Sequence, residues 1–202
     1  MMMTEKIVVS DTNIFIDLVK LDLLGDFFSL PWDIHTTDFV ISELEIPEQK
    51  AAVLAFIKRK KLTVGKLDAE EVGLIVERSD ETGGKISITD FSVCHYARKN
   101  NYTLLTGDMN LRKVAIKENI SVHGILFLFD ELVKHNILPP ELAADTLKLL
   151  KEVNTRLPLE EVDNRIVKWE SNNKIYRMYE VTLENDYKKR RAHRQVNSPN
   201  DI

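Results

Sequence analysis

Two acidic residues stand directly behind short apolar runs. Asp11 follows Lys6–Ser10 (KIVVS) in Ser10-Asp11-Thr12-Asn13, and Asp108 follows Tyr102–Thr106 (YTLLT) after a single glycine, in Thr106-Gly107-Asp108-Met109-Asn110. Asp90, in Ile88-Thr89-Asp90-Phe91, opens a stretch of helical periodicity, and Glu43, in Val40-Ile41-Ser42-Glu43-Leu44, lies about one turn into another. Carboxylates brought together in this way repel one another and stay ionised only where cations neutralise them. Oxygen-only ligation suits Mg²⁺ or Mn²⁺, and one or two such ions about 3.5–4 Å apart can activate water and stabilise the leaving oxygen of a phosphoryl displacement. That chemistry cleaves nucleic-acid backbones.

The elements that must position these acids are legible in the alternation of β-branched runs with helical periodicity from Lys6 to about Lys134, the pattern of an α/β domain with a parallel sheet. Five strands are predicted: Lys6–Ser10, Ile34–Thr37, Leu62–Lys66, Tyr102–Thr106 and Ile120–His123. The helices between them are Asn13–Phe28, Phe39–Glu45, Glu48–Lys60, Ala69–Arg78, Asp90–Lys99 and Leu111–Lys117. Thr89 or Ser87 is available to cap the helix containing Asp90. Loops at the carboxyl ends of parallel strands form the ligand crevice, and helices begin at that same edge, so an acid just after a strand or in a helix's first turn can join the site.

After Gly124 the strands stop. Ile125–Asn136, Pro140–Thr155 and Pro158–Glu170 read as consecutive helices, two of them opened by proline in the tolerated first turn. From Ser171 the composition turns polar, Tyr187–Arg194 (YKKRRAHR) is strongly basic, and the last ten residues are expected to be disordered.

With 28 Lys+Arg against 32 Asp+Glu the formal charge is -4, so no global field gathers polyanions and any nucleic-acid contact must come from a local patch. The single cysteine, Cys94, excludes an intrachain disulfide and a cysteine-rich zinc site, which fits a reducing cytoplasm. No apolar run approaches the ~18 residues needed to span a bilayer, so no membrane role is expected. The histidines His35, His95, His123, His135 and His193 show no paired metal-ligand spacing and no nucleophile partner. Cys94 beside His95 reads as a buried, inert thiol, because adjacent helix positions point about 100° apart.

Plainer roles compete at each position. A lone strand-end aspartate is commonly a helix cap, and a helix-surface glutamate such as Glu43 is usually only solvated. Asp17, Asp22, Asp26, Asp38, Glu81 and Asp130 are expected on exposed helix or loop surfaces. Asn110, Arg112 and Lys113, at the start of the helix after Asp108, offer a cationic side chain and free N–H groups to a substrate phosphate, or form a solvated first turn. Lys58–Lys61 (KRKK) and the basic tail can hold an RNA backbone or remain solvated, and the tail can equally bind a protein.

Taken in order, Asp11-Thr12-Asn13 after the first strand, Ser42-Glu43-Leu44, Thr89-Asp90 opening a helix and Thr106-Gly107-Asp108 resemble the motifs of the PIN-domain family, which includes the VapC-type toxin ribonucleases of bacterial toxin-antitoxin pairs. The resemblance covers roughly residues 5–135. It implies a three-layer fold with a central parallel sheet of about five strands, a Mg²⁺ or Mn²⁺ site built by Asp11, Glu43, Asp90 and Asp108, and RNA products with 5′-phosphate and 3′-hydroxyl ends. Thr12 and Asn13 would position the first aspartate or a water, with Thr106 as a further supporting residue. The segment after Gly124, including Leu138-Pro139-Pro140-Glu141-Leu142, looks like the C-terminal helices of a subset of bacterial PIN proteins and departs from the compact toxin pattern. The expected organisation is therefore a nuclease domain over 5–135, a helical extension over 136–170 and a charged tail over 171–202. RNA, an antitoxin protein and a second copy of the chain are the partners this implies. A PIN-like module that binds RNA or protein without cutting is the alternative. A receiver or haloacid-dehalogenase-type domain fits poorly, since the latter needs a second aspartate where this chain has Asn13.

Overall fold

The computed structural model describes residues 5–9 and 12–171. Asp11 and the basic tail, with the expectations placed on them, lie outside the described residues. The chain divides into two units, at the Leu138–Pro139 junction.

In the first unit, β1 (Glu5–Val9), β2 (Trp32–Thr37), β3 (Leu62–Gly65), β4 (Thr103–Leu105) and β5 (Val122–His123) form a sheet of order β3-β2-β1-β4-β5, with every pairing parallel. Register is fixed by Ile7, which stands opposite Ile34 on one side and Thr103 on the other. Ile7, Ile34, Leu62 and Leu104 are buried, as expected for strands covered on both faces.

The crossovers are α1 (Thr12–Lys20) and α2 (Leu24–Phe27) from β1 to β2, α3 (Asp38–Glu43) and α4 (Pro47–Lys58) from β2 to β3, α5 (Ala69–Glu81) and α6 (Ile88–Asn100) from β3 to β4, and α7 (Met109–Lys117) from β4 to β5. Strands β1 to β3 are laid down in one direction and β4 and β5 in the other. Right-handed crossovers therefore send α1 and α4 to one face and α6 and α7 to the opposite one. Consistent with this, α6 packs on β1, β2 and β4, and α1 packs on α4. The chain leaves β1 and β4, which are neighbours, in opposite directions, so the topological switch point lies between their carboxyl ends.

One predicted helix, Asn13–Phe28, is two. Asp22 adopts φ 57°, and the Asp22 and Leu23 N–H groups donate to the carbonyls of Val19 and Leu18, the Schellman arrangement that closes a helix. The apolar pattern had suggested continuity because Leu18, Leu23, Leu24 and Phe27 are all buried on either side of the break. The same pair of bonds closes α4 at Lys60, α5 at Gly83, α6 at Asn101 and α7 at Asn119.

Aromatic rings form a continuous series through this unit. His123 stacks on Phe127 of α8 (Ile125–Lys134) at 3.8 Å, and Phe127 on Trp32 at 5.9 Å. Trp32 meets Phe27 edge-on, Phe27 contacts Phe28, and Phe28 stacks on Phe56 of α4 at 4.1 Å. On β2, the buried His35 bonds the Tyr96 hydroxyl at 3.1 Å and packs against Tyr102.

The second unit contains α9 (Pro140–Val153), with Pro140 at its first turn, and α10, residues 159–171. The two run antiparallel, tied by Lys148–Glu170 at 2.7 Å and Lys151–Asp163 at 2.5 Å. No helix among the described residues is long and apolar enough to cross a membrane.

Candidate functional site

Glu43 is the last residue of the six-residue α3 and is exposed, yet it is not a loose surface carboxylate. The buried Thr12 hydroxyl, at the first turn of α1, donates to Glu43 Oε2 at 2.7 Å. Thr12 directly follows Asp11 in the sequence, so this bond ties the carboxylate of α3 to the chain leaving β1. The packing of α3 on both α1 and α6 makes the approach possible.

Asp90 lies in the first turn of α6. Ser87 is the N-cap: its hydroxyl accepts from the Asp90 N–H at 3.0 Å and its own N–H donates to Asp90 Oδ2 at 3.4 Å, completing a capping box, while the hydroxyl also donates to Oδ2 at 2.8 Å. Two residues on, Ser92 bonds Thr37 at 2.8 Å in a fully buried pair. Thr37 ends β2, so the first turn of α6 is pinned to the carboxyl edge of the sheet.

Asp108 is the N-cap of α7. Its Oδ1 accepts from the N–H groups of Asn110 at 2.8 Å and Leu111 at 2.7 Å, and its own N–H donates to the buried Thr106 hydroxyl at 3.0 Å. Thr106 N in turn bonds the His123 carbonyl at 2.9 Å, which extends the β4–β5 ladder up to the site. Two of the N–H groups that the sequence offered to a phosphate are thus already taken by Asp108. Arg112 donates to the Val122 carbonyl at 3.3 Å, while Asn110 and Lys113 are exposed on the first turns of α7. Asn13 is half-buried on α1.

Glu43, Asp90 and Asp108 therefore each have one oxygen fixed by a hydrogen-bond donor. Glu43 Oε1 and Asp108 Oδ2 make no hydrogen bond among the described residues. This donor set is oxygen-only and oriented, and it fits a hard divalent cation better than a thiophilic one. Glu43, Asp90 and Asp108 do not by themselves form a metal-binding group, since no cluster of three or more His, Cys, Asp or Glu side chains occurs among the described residues. The fourth acid, Asp11, lies outside them.

Two competing acids differ from expectation. Asp17 is buried on α1, only 8 % exposed, because it lies among Ile14, Phe15 and Leu18 on the packed side of the helix. Asp38, the first residue of α3, has a buried Oδ1 with no hydrogen-bond partner among the described residues. It directly follows β2, the same strand-end placement that singled out Asp108, so that rule pointed to it as well.

Cys94 is fully buried on α6, and burial pushes its thiol up to about 12, which removes it as a nucleophile at neutral pH. A polar cavity of about 340 Å³ opens between the end of α6 and the start of β4, bordered by Arg98, Asn101, Thr103 and Glu118. It lies at the amino edge of the sheet, and none of the proposed carboxylates lines it.

Comparison with known proteins gives a family match and two structural similarities. Curated proteins give no match. Among solved structures, VapBC2 from Rickettsia felis, bound to a DNA fragment from its promoter, is similar at 18% identity with a TM-score of 0.39, over 59% of this chain and 98% of that one. FitAcB from Neisseria gonorrhoeae is similar at 15% identity with a TM-score of 0.35, over 57% and 95%. The model of the PIN domain matches residues 7–171, running past the Leu138–Pro139 junction through α9 and α10, and the chain belongs to the PIN-domain family.

Proposed function

We propose that this protein is a metal-dependent endoribonuclease that hydrolyses RNA phosphodiester bonds at the crevice between the carboxyl ends of β1 and β4. The observation that carries the reading is the Thr12–Glu43 hydrogen bond. It draws a carboxylate from the end of α3 to the residue beside Asp11, which an isolated surface glutamate has no reason to do. Asp11, Glu43, Asp90 and Asp108 are the residues that would hold Mg²⁺ or Mn²⁺. When bound, such an ion supplies Lewis-acid activation of the scissile phosphate and of the attacking water.

The chain's own contribution is orientation. Thr12 fixes Glu43, Ser87 fixes Asp90, and the first N–H groups of α7 fix Asp108. Carboxylates held in this way need no reorganisation when the substrate arrives, which is where a preorganised site gains its rate. Thr106 braces the backbone at Asp108, Asn13 follows Thr12 on α1, and Lys113 presents a cation beside the crevice for a flanking phosphate. Asn110 and Arg112 have a supporting role on the same helix. The motif resemblance to VapC-type ribonucleases favours an antitoxin protein as partner, a second copy of the chain as a further one, and the cytoplasm as the place of action.

The test is cleavage of end-labelled single-stranded RNA by the purified chain with Mg²⁺, Mn²⁺ or EDTA, beside Asp90→Asn and Asp108→Asn. Metal-dependent cutting that either substitution abolishes is the expected result. Absence of cutting with every RNA tried, together with no thermal stabilisation by either metal, would assign the fold to binding instead.

A further inference from the structure

The turn between α4 and β3 carries four consecutive exposed cations, Lys58, Arg59, Lys60 and Lys61. None of them makes an ion pair among the described residues. Lys58 and Arg59 close α4, where positive charge complements the helix dipole. That effect fades within the last turn and does not account for Lys60 and Lys61.

Lys60 adopts φ 57°. Among the described residues, the other non-glycine residues in the left-handed region are Asp22, Asn101, Asn119 and Asn136, types whose short polar side chains tolerate it. The turn that closes α4 imposes this conformation, and a lysine bears it less readily than glycine or asparagine, so its presence at an exposed turn points to a use for the side chain. Arg59 is held as well, its guanidinium over the Phe56 ring at 5.4 Å while Phe56 stacks on Phe28. The turn thus presents a cation on an aromatic support at one end of the ring series.

The surroundings select the ligand class. No large hydrophobic residue of the segment between Ile46 and Leu74 is exposed, so the turn itself carries no apolar anchor of the kind on which protein interfaces depend. Phosphate backbones need only charge. With a chain charge of -4, a local cationic strip of this kind is what can gather a polyanion.

β3 is four residues long and stands two strands from β1, so the turn lies roughly 10–13 Å below the carboxyl edge and about 10 Å to its side. An RNA that only fills the crevice does not reach it. We propose that the Lys58–Lys61 turn is a second backbone contact, outside the crevice, that makes RNA long enough to span both, rather than short oligonucleotides, the substrate class of this site. The inference rests on the ribonuclease reading.

The experiment measures binding by the full chain in EDTA, so that nothing is cut, of an RNA hairpin and of a trinucleotide, across a salt series. The variants are Lys58→Gln/Lys60→Asn/Lys61→Gln and a charge-matched control, Lys85→Gln/Lys117→Gln/Lys168→Gln. In the turn variant, hairpin affinity is expected to fall roughly tenfold or more, and the slope of log affinity against log salt to lose about two. Preference for the hairpin over the trinucleotide shrinks accordingly, while the control keeps it. Wild-type affinity and slope in the turn variant would overturn the proposal, whether or not an acidic protein partner is lost at the same time. If the wild-type chain cuts RNA with metal and the variant binds normally, only this inference falls. If the wild-type chain neither binds nor cuts RNA, the ribonuclease reading falls with it.

Discussion

Thr37 and Ser92 share a 2.8 Å hydrogen bond between hydroxyls that are both fully buried. The Ser92 proton is already donated to the Thr89 carbonyl at 2.6 Å, so Thr37 is the donor in this pair. The two substitutions are therefore unequal. Ser92→Ala strands a buried donor on Thr37, while the Thr89 carbonyl keeps its helical N–H donor, and should cost about 1–3 kcal/mol. Thr37→Val removes only the donor and preserves shape, costing about 1 kcal/mol or less. Urea denaturation of the two variants and of the double mutant measures this. A double mutant less stable than Ser92→Ala alone would show that the pair is not a closed unit.

Thr12→Val tests the tether on Glu43. Glu43 is exposed, so loss of the bond should change stability by no more than about 1 kcal/mol. Its effect on metal-dependent RNA cleavage should be larger, about ten- to a hundredfold in kcat, because the carboxylate is freed to rotate. Thr12→Ser, which keeps the donor, should restore most of the rate. Equal activity in all three proteins would remove Thr12 from the site.

How far the sequence reached can be judged from these same residues. The strand-end rule led to Asp108 at the N-cap of α7, and the helix-start rule to Asp90 in the first turn of α6, placements that depend on local order along the chain. Glu43 was harder. Its membership depends on the register of a short helix against α1, a tertiary relationship that periodicity does not carry. The break at Asp22 escaped for a related reason, since both sides of it remain apolar and aspartate is a weaker helix-stop signal than glycine. Asp17 was expected to point away from the sheet on a helix facing it with Ile14, Leu18 and Leu21, and its burial is a consequence of packing. The cap made by Asp108 leaves the plain and the chemical readings of an acid compatible: Oδ1 closes the helix, while Oδ2 makes no hydrogen bond among the described residues.

Glu71 links α5 to α6. Lys99 Nζ at 2.7 Å, the Asp68 N–H at 3.0 Å and His95 Nε2 at 2.9 Å all reach its carboxylate and lower it from 4.5 to about 2. A depressed carboxylate stabilises the fold above its unfolded value, and that contribution is lost as pH falls from about 4.5 through about 2. Since Lys99 is 56% exposed, solvent screening limits the contribution to about 1–2 kcal/mol. Glu71→Gln should therefore be less stable than wild type at pH 6, and the gap should close as the pH is lowered towards 2. Thermal midpoints across that range decide it, and a gap independent of pH would assign the loss to packing rather than charge.

Gly65 ends β3 against the face of Tyr96. A β-carbon placed there would lie 2.6 Å from Tyr96 Cζ, well inside van der Waals contact. The ring cannot move without cost, because its hydroxyl bonds His35 Nδ1 at 3.1 Å and its edge meets Tyr102 at a centroid distance of 5.9 Å. Gly65→Ala should therefore destabilise by about 1–3 kcal/mol through overpacking. Tyr96→Phe keeps the ring and removes only the hydroxyl, which isolates the hydrogen-bond contribution. In the Gly65→Ala/Tyr96→Ala double mutant the clash is absent, so Gly65→Ala should cost much less in that background than in wild type. Equal costs in the two backgrounds would show that Tyr96 is not what requires the glycine.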